Sequence, residues 1–128
     1  MTDPVVAAAK AAQAQAYAPY SKFRVGAALE AQDGRVFTGC NVENASFGLT
    51  ICAERMAFGA AIVAGEQQFR RVVVVSDSMP AAMPCGACRQ FMAEFGVDLV
   101  VEAHGPAGSE RTTLGTLLPR HFGPESLQ

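Results

Sequence analysis

The amino-acid sequence predicts a three-layer α/β/α sandwich around a mixed sheet of about five strands. Three observations lead there. Helix, hairpin, helix, strand, helix and strand follow one another along the chain, an alternation that covers a sheet with helices. Val72 to Val75 form an unbroken apolar run that suits a strand buried on both faces. Half of the 128 residues are hydrophobic and 17% are charged, a balance that fills one core and argues for a single domain over residues 1–128.

Asp3 caps a first helix with Pro4 at its first position, and Val5, Ala8, Ala9, Ala12 and Ala16 recur along one face. Tyr17 to Ser21 contains Pro19 and interrupts that pattern. Arg24 to Ala31 and Arg35 to Cys40 flank the turn residues Gln32, Asp33 and Gly34, which makes a β-hairpin. Asn41 to Thr50 reads as a loop, and a second helix runs from about Ile51 to Ala64 with Gly65 as its stop. Arg71 to Ser76 is the strand covered on both faces. After a loop marked by Pro80 and Pro84, Cys88, Phe91, Met92 and Phe95 follow the spacing of a helix that ends at Gly96. Asp98 to Ala103 is a further strand, Gly105 to Ser109 a turn, Arg111 to Leu114 a short edge strand, and Thr116 to Pro119 opens a last short helix.

Twelve acidic residues against ten basic ones give a formal charge of −2. That lacks the basic excess that dominates affinity for nucleic acid, so no nucleic-acid partner is expected. No apolar run approaches the roughly 20 residues of a membrane span, and the alanine-rich start lacks the basic residues of an export signal. A cytoplasmic protein without a membrane partner is the expectation. There the four cysteines stay reduced and point to metal or redox chemistry rather than to disulfides.

Cys85 and Cys88 fall three apart at the start of a predicted helix, so their sulfurs can point to one side and grip one metal. Zinc needs further donors converging at about 2.3 Å, and Cys52, which opens the preceding helix, is the best candidate for the third. Two helix N-termini aimed at one point lower thiol pKa values. Three thiolates leave a fourth position for water, the coordination of a catalytic rather than a structural site. Glu54, two residues beyond Cys52, is placed to handle the protons of that water, and Arg55 to donate to a thiolate sulfur and offset the negative charge. Two rival readings use the same residues. Cys85-Gly86-Ala87-Cys88 also resembles a thioredoxin-type redox pair, in which Cys52 and Glu54 have no part, and Cys40 as a fourth ligand would close a structural zinc site. His104 and His121 lack the spacing of metal ligands.

Cys52-Ala53-Glu54 followed by Pro84-Cys85-Gly86-Ala87-Cys88 resembles the signature of the zinc-dependent cytidine deaminases, with cysteine where related nucleobase deaminases carry histidine. The likeness extends to Tyr17 to Gly26, to Gly39-Cys40-Asn41-Val42-Glu43-Asn44, to Leu117-Leu118-Pro119 and to Phe122-Gly123-Pro124, and so to nearly the whole chain. It is similar to the small homotetrameric branch that uses three cysteines. The resemblance implies the cytidine deaminase-like fold and one zinc per chain on Cys52, Cys85 and Cys88. The implied reaction is hydrolysis of cytidine and 2′-deoxycytidine to uridine and 2′-deoxyuridine with release of ammonia, in pyrimidine salvage. Activated water attacks C4 of the cytosine ring, and Glu54 protonates N3 and later the departing amino group. Asn41 and Glu43 are implied to bind the ribose 3′-hydroxyl, Phe23 to pack near the nucleoside and the backbone of Ala53 to contact the base. Ala45 and Phe47 would approach the 5′ side from neighbouring subunits and Phe122 would stack on the base from another chain, so that a homotetramer shares its active sites. Phe47 stands where relatives often have tyrosine, which removes a hydroxyl contact to the 5′-hydroxyl.

Overall fold

In a computed structural model that describes residues 3–127, Asp3 accepts the Val5 amide at 3.0 Å and starts helix α1 (Pro4–Gln13). A long strap leads from α1 to strand β1 (Gly26–Ala31), which turns into β2 (Val36–Cys40). A short 3-10 turn (Phe47–Leu49) precedes helix α2 (Ala53–Val63). Strand β3 (Phe69–Val75), helix α3 (Gly86–Ala93) and strand β4 (Val100–Gly105) follow. Strand β5 (Gly108–Thr113), the single turn α4 (Leu114–Leu117) and a terminal 3-10 turn (Pro124–Leu127) complete the chain.

The sheet has five strands in the order β2-β1-β3-β4-β5. Only β3 and β4 pair in parallel, with Val72 opposite Val101; the other neighbours are antiparallel, so the sheet is mixed as expected. Strand alternation divides the core between two faces. Ala28, Val73 and Val75 pack under Val5 and Ala9 of α1. Ala27, Leu29, Val72, Val74 and Val101 face α2 and α3. The valine run is therefore buried by helices on both sides, which is the three-layer sandwich.

The α2 and α3 layer is what positions the site. Ala53, Ala57 and Ala61 lay a smooth stripe on the sheet, and Phe58 is fully buried beside them. Its ring meets Phe69 of β3 edge-on at 5.1 Å and stacks on Phe95, just past α3, at 5.5 Å. That contact fixes the spacing between the two helices. Gly39 on β2 sets the other spacing. A Cβ there would fall on the Ala53 carbonyl and come within 2.7 Å of the Ala57 nitrogen, so the start of α2 rests directly on strand backbone.

Several boundaries differ from expectation, each for a tertiary reason. Helix α1 stops at Gln13, short of Ala16, because Tyr17 leaves the helix to bridge Val42 and donate its amide to the Asn41 carbonyl at 3.0 Å. Strand β3 starts at Phe69, two residues early, since Phe69 pairs with Ala31 across a bulge. The last hairpin turns at Pro106 and Ala107 alone, which lengthens β4 and starts β5 at Gly108. Helix α4 accordingly begins at Leu114 and not Thr116.

Gly39→Ala is expected to lower unfolding stability by about 1–3 kcal/mol, the usual cost of forcing a methyl into a packed contact. Urea titration checks this, with a lower midpoint and an unchanged slope as the result.

Candidate active site

Cys52 is the N-cap of α2 and Cys85 the N-cap of α3, both in extended backbone geometry. Neither side chain makes a capping hydrogen bond, so both sulfurs are free to face outward from their helix ends. Cys88 follows in the first turn of α3 and is fully buried. The three sulfurs lie within 4.8 Å of one another. Tetrahedral ligands at the zinc–sulfur length of about 2.3 Å stand roughly 3.8 Å apart, so small side-chain rotations complete such a set. Cys40, the alternative fourth ligand, lies half-buried on β2 outside this cluster.

The electrostatics of the cluster suit a cation. The Cys52 thiol is pulled down to about 5 by a hydrogen bond from Cys88 and by the guanidinium of Arg55. Cys88, which donates that hydrogen bond and is buried, is pushed up. Two thiols here compete for one proton, a need that a divalent ion satisfies in the proton's place. Arg55 donates to the Cys52 sulfur at 3.5 Å and to the Thr50 carbonyl at 3.3 Å. Three thiolates around a divalent ion carry one net negative charge, which this guanidinium offsets. Three soft donors, one short of a closed tetrahedral set, are the donor chemistry of a zinc site with a free position.

Glu54, 5% exposed, follows Cys52 into the first turn of α2. Burial raises its carboxyl pKa, and the neighbouring Cys52 thiolate adds to the effect. A cleft of about 210 Å³ opens over it, lined among others by Phe23, Asn41, Cys52, Ala53, Glu54 and Cys85. Asn41 is anchored at both ends of its amide. Its Oδ1 accepts the Val25 N–H at 2.9 Å and its Nδ2 donates to the Phe23 carbonyl at 2.7 Å. One N–H and one lone pair stay available to a ligand.

Other expected residues fall outside this cleft. Glu43 and Phe47 line an adjacent depression of about 450 Å³ with Tyr20, Ser21 and Thr50. The Glu43 carboxylate accepts the amides of Tyr20 and Ser21 at 3.0 and 3.1 Å and the Ser21 hydroxyl, which hold its pKa below the usual range. Thr50 lines both hollows and joins them. Ala45 is exposed on the loop ahead of the 3-10 turn, and Phe122 is exposed on the C-terminal segment, its carbonyl held by Gln90 Nε2 at 2.6 Å. Sequence reasoning overlooked Thr50 and Ser76. Ser76 is a buried polar residue that lines the cleft, directly after the valine run. A polar residue at the carboxyl end of a parallel strand is the signal that marks such a position.

With the geometry in hand, comparison with known proteins is specific. Residues 2–103 match the model of the cytidine and deoxycytidylate deaminase zinc-binding region. A cytidine deaminase of Sporosarcina psychrophila is 46% identical over 127 residues, covering 98% of this chain and 93% of that one. A probable cytidine deaminase of Dictyostelium discoideum is 47% identical over 121 residues, covering 94% and 82%. The crystal structure of cytidine deaminase from Burkholderia pseudomallei superposes with a TM-score of 0.89 at 48% identity, over 95% of this chain and all of that one. The family model and the thiol cluster together define a protein of the deaminase zinc-binding class with a candidate metal site. The chain belongs to the cytidine deaminase family and is a hydrolytic deaminase. Among the described residues, no helix is long and apolar enough to cross a membrane.

A raised carboxyl pKa means that the native state holds the Glu54 proton more tightly than the unfolded chain does. Ionised Glu54 therefore costs stability at neutral pH, and the cost fades as pH falls towards the ordinary value of 4.5. Metal-free Glu54→Gln is expected to unfold at higher urea than metal-free wild type at neutral pH, the gap closing on acidification.

Proposed function

We propose that this chain hydrolyses cytidine and 2′-deoxycytidine to uridine and 2′-deoxyuridine, releasing ammonia, as a step of pyrimidine salvage in the cytoplasm. Residues 1–128 act as one deaminase domain that carries one zinc. The single observation that supports this most is the meeting of three thiols with a buried carboxylate in one cleft. Zinc, when bound, supplies Lewis acidity that brings the ionisation of water down to about neutral pH.

The protein's own groups do the rest. Glu54 is the proton shuttle in this reading, and burial, which raises its carboxyl pKa, makes it hold a proton more readily than an exposed glutamate does. It accepts one proton from the attacking water and delivers it to ring N3, then accepts the second from the new C4 hydroxyl and delivers it to the amino group as the C4–N bond breaks. Water and substrate then account for every atom of the uridine and ammonia. The Ala53 backbone contacts the base and Phe23 packs against the nucleoside. From the cleft the neutral Asn41 amide donates to or accepts from a ribose hydroxyl, and from the adjoining hollow the Glu43 carboxylate accepts from one.

The substrate site is completed by neighbouring copies in a homotetramer. Phe47 and Phe122 stand 75% and 58% exposed. Such apolar rings are suited to covering the cleft of another subunit, with Ala45 leaving room beside the sugar. Redox use of Cys85 and Cys88 is the weaker reading, because it leaves the convergence of Cys52 and the burial of Glu54 without a purpose.

Purified protein incubated with cytidine, 2′-deoxycytidine, free cytosine and a cytosine-containing oligonucleotide is expected to release ammonia from the two nucleosides only. Ammonia from the oligonucleotide alone, or from none of the four, contradicts the proposal. Glu54→Gln is expected to retain zinc and lose about 10²–10⁴-fold in turnover, the usual weight of a general acid–base group. Metal analysis beside the rate measurement checks both halves.

A further inference from the structure

Arg89 lies in α3 between the thiol cluster and the C-terminal segment. Its backbone N–H donates to the Cys85 carbonyl at 2.9 Å, the ordinary first-turn bond of the helix. Its side chain turns back over the same turn, where Nε donates to the Pro84 carbonyl at 2.7 Å. Nη1 reaches in the other direction and donates to the Leu117 carbonyl at 3.1 Å. One residue thus holds the carbonyls of the two peptide planes that flank Cys85, and those planes set the direction of the Cys85 side chain.

Cys85 is the ligand that needs such a fixture. Cys88 is buried and Cys52 half-buried, but Cys85 is exposed, with little packing to restrain its sulfur. The far end of the brace is rigid. Leu117 closes α4, whose Leu114 side chain is fully buried and whose Leu114 and Gly115 amides donate to the carbonyls of Leu99 and Val97, both at 2.9 Å. A planar guanidinium spans two acceptors in fixed directions, which an ammonium on a flexible stem does not.

We propose that Arg89 is a positioning residue for the metal site, which by bracing Cys85 against α4 sets how slowly zinc leaves. The inference rests on the zinc reading above. An exposed ligand is the one a chelator displaces first, and a ligand free to swing away is displaced faster. Groups that orient metal ligands from behind are commonly worth 10–100-fold in affinity.

Zinc-loaded full-length protein, mixed with excess chromogenic chelator under native conditions, reports the release rate directly. Arg89→Gln is expected to release zinc about 10–100-fold faster than wild type. Arg89→Lys, which keeps the charge but spans only one carbonyl, should fall between them. Gln90→Ala is the control on the same helix, because that side chain ties α3 to the Phe122 carbonyl instead and its loss should leave the rate unchanged. A wild-type rate in Arg89→Gln, or equal acceleration in Gln90→Ala, overturns the proposal. Should Arg89→Gln fail to fold, Arg89→Lys decides by the same readout, faster release supporting the brace and a wild-type rate refuting it. A wild-type chain that takes up no zinc defeats the metal reading itself, and is distinguishable from a zinc-loaded chain whose release ignores Arg89.

Discussion

Two helices of one layer begin at cysteines, on the same side of the sheet, and neither sulfur is spent on capping its own helix. The positive ends of α2 and α3 therefore face a common point, where they favour thiolate over thiol. Cys88, one turn into α3, adds a buried third sulfur. The rest of the structure serves that convergence. Phe58, clasped between Phe69 and Phe95, keeps α2 and α3 at a fixed distance, and the bare backbone of Gly39 lets α2 settle onto β2. Shifting either helix by a fraction of a turn would spread the sulfurs beyond the reach of one ion, because metal–sulfur bonds tolerate errors of only about 0.2 Å.

The same geometry explains why an acid sits where it is costly to keep one. Glu54 follows Cys52 into the first turn of α2, so the backbone that delivers the thiol also delivers the carboxyl. Removed from water and placed beside a thiolate, it binds a proton more readily than a surface glutamate does. Such a buried acid costs stability, the kind of cost that is common where a site carries chemically useful groups. Arg55 restrains the cost by holding the Cys52 sulfur and the Thr50 carbonyl together.

Much of this was legible in the sequence because the informative residues act locally. Asp3 and Pro4 announce α1, four valines announce a strand under two layers, and the spacing of Cys85 and Cys88 announces two sulfurs that gather on one side. Cys52 and Glu54 could be added because each opens or follows a helix start. What was not legible depends on contacts far apart in the chain. The end of α1 is decided by the Tyr17 bridge to Val42, and the early start of β3 by its pairing across a bulge in β1. Asn41 and Glu43 look like one polar loop from the sequence, yet their side chains address separate hollows, one anchored to Phe23 and Val25 and the other to Tyr20 and Ser21. Ser76 and Arg89 gave no periodic signal, since one is the end of a strand and the other acts through backbone carbonyls.

Zinc K-edge X-ray absorption of the loaded protein examines the coordination itself. Three sulfur neighbours at about 2.3 Å with one oxygen or nitrogen neighbour at about 2.0 Å is the predicted shell. Four sulfurs would mean that Cys40 or another thiol has closed the site, and a shell without sulfur would mean that the three cysteines do not hold the metal. Either result contradicts the account.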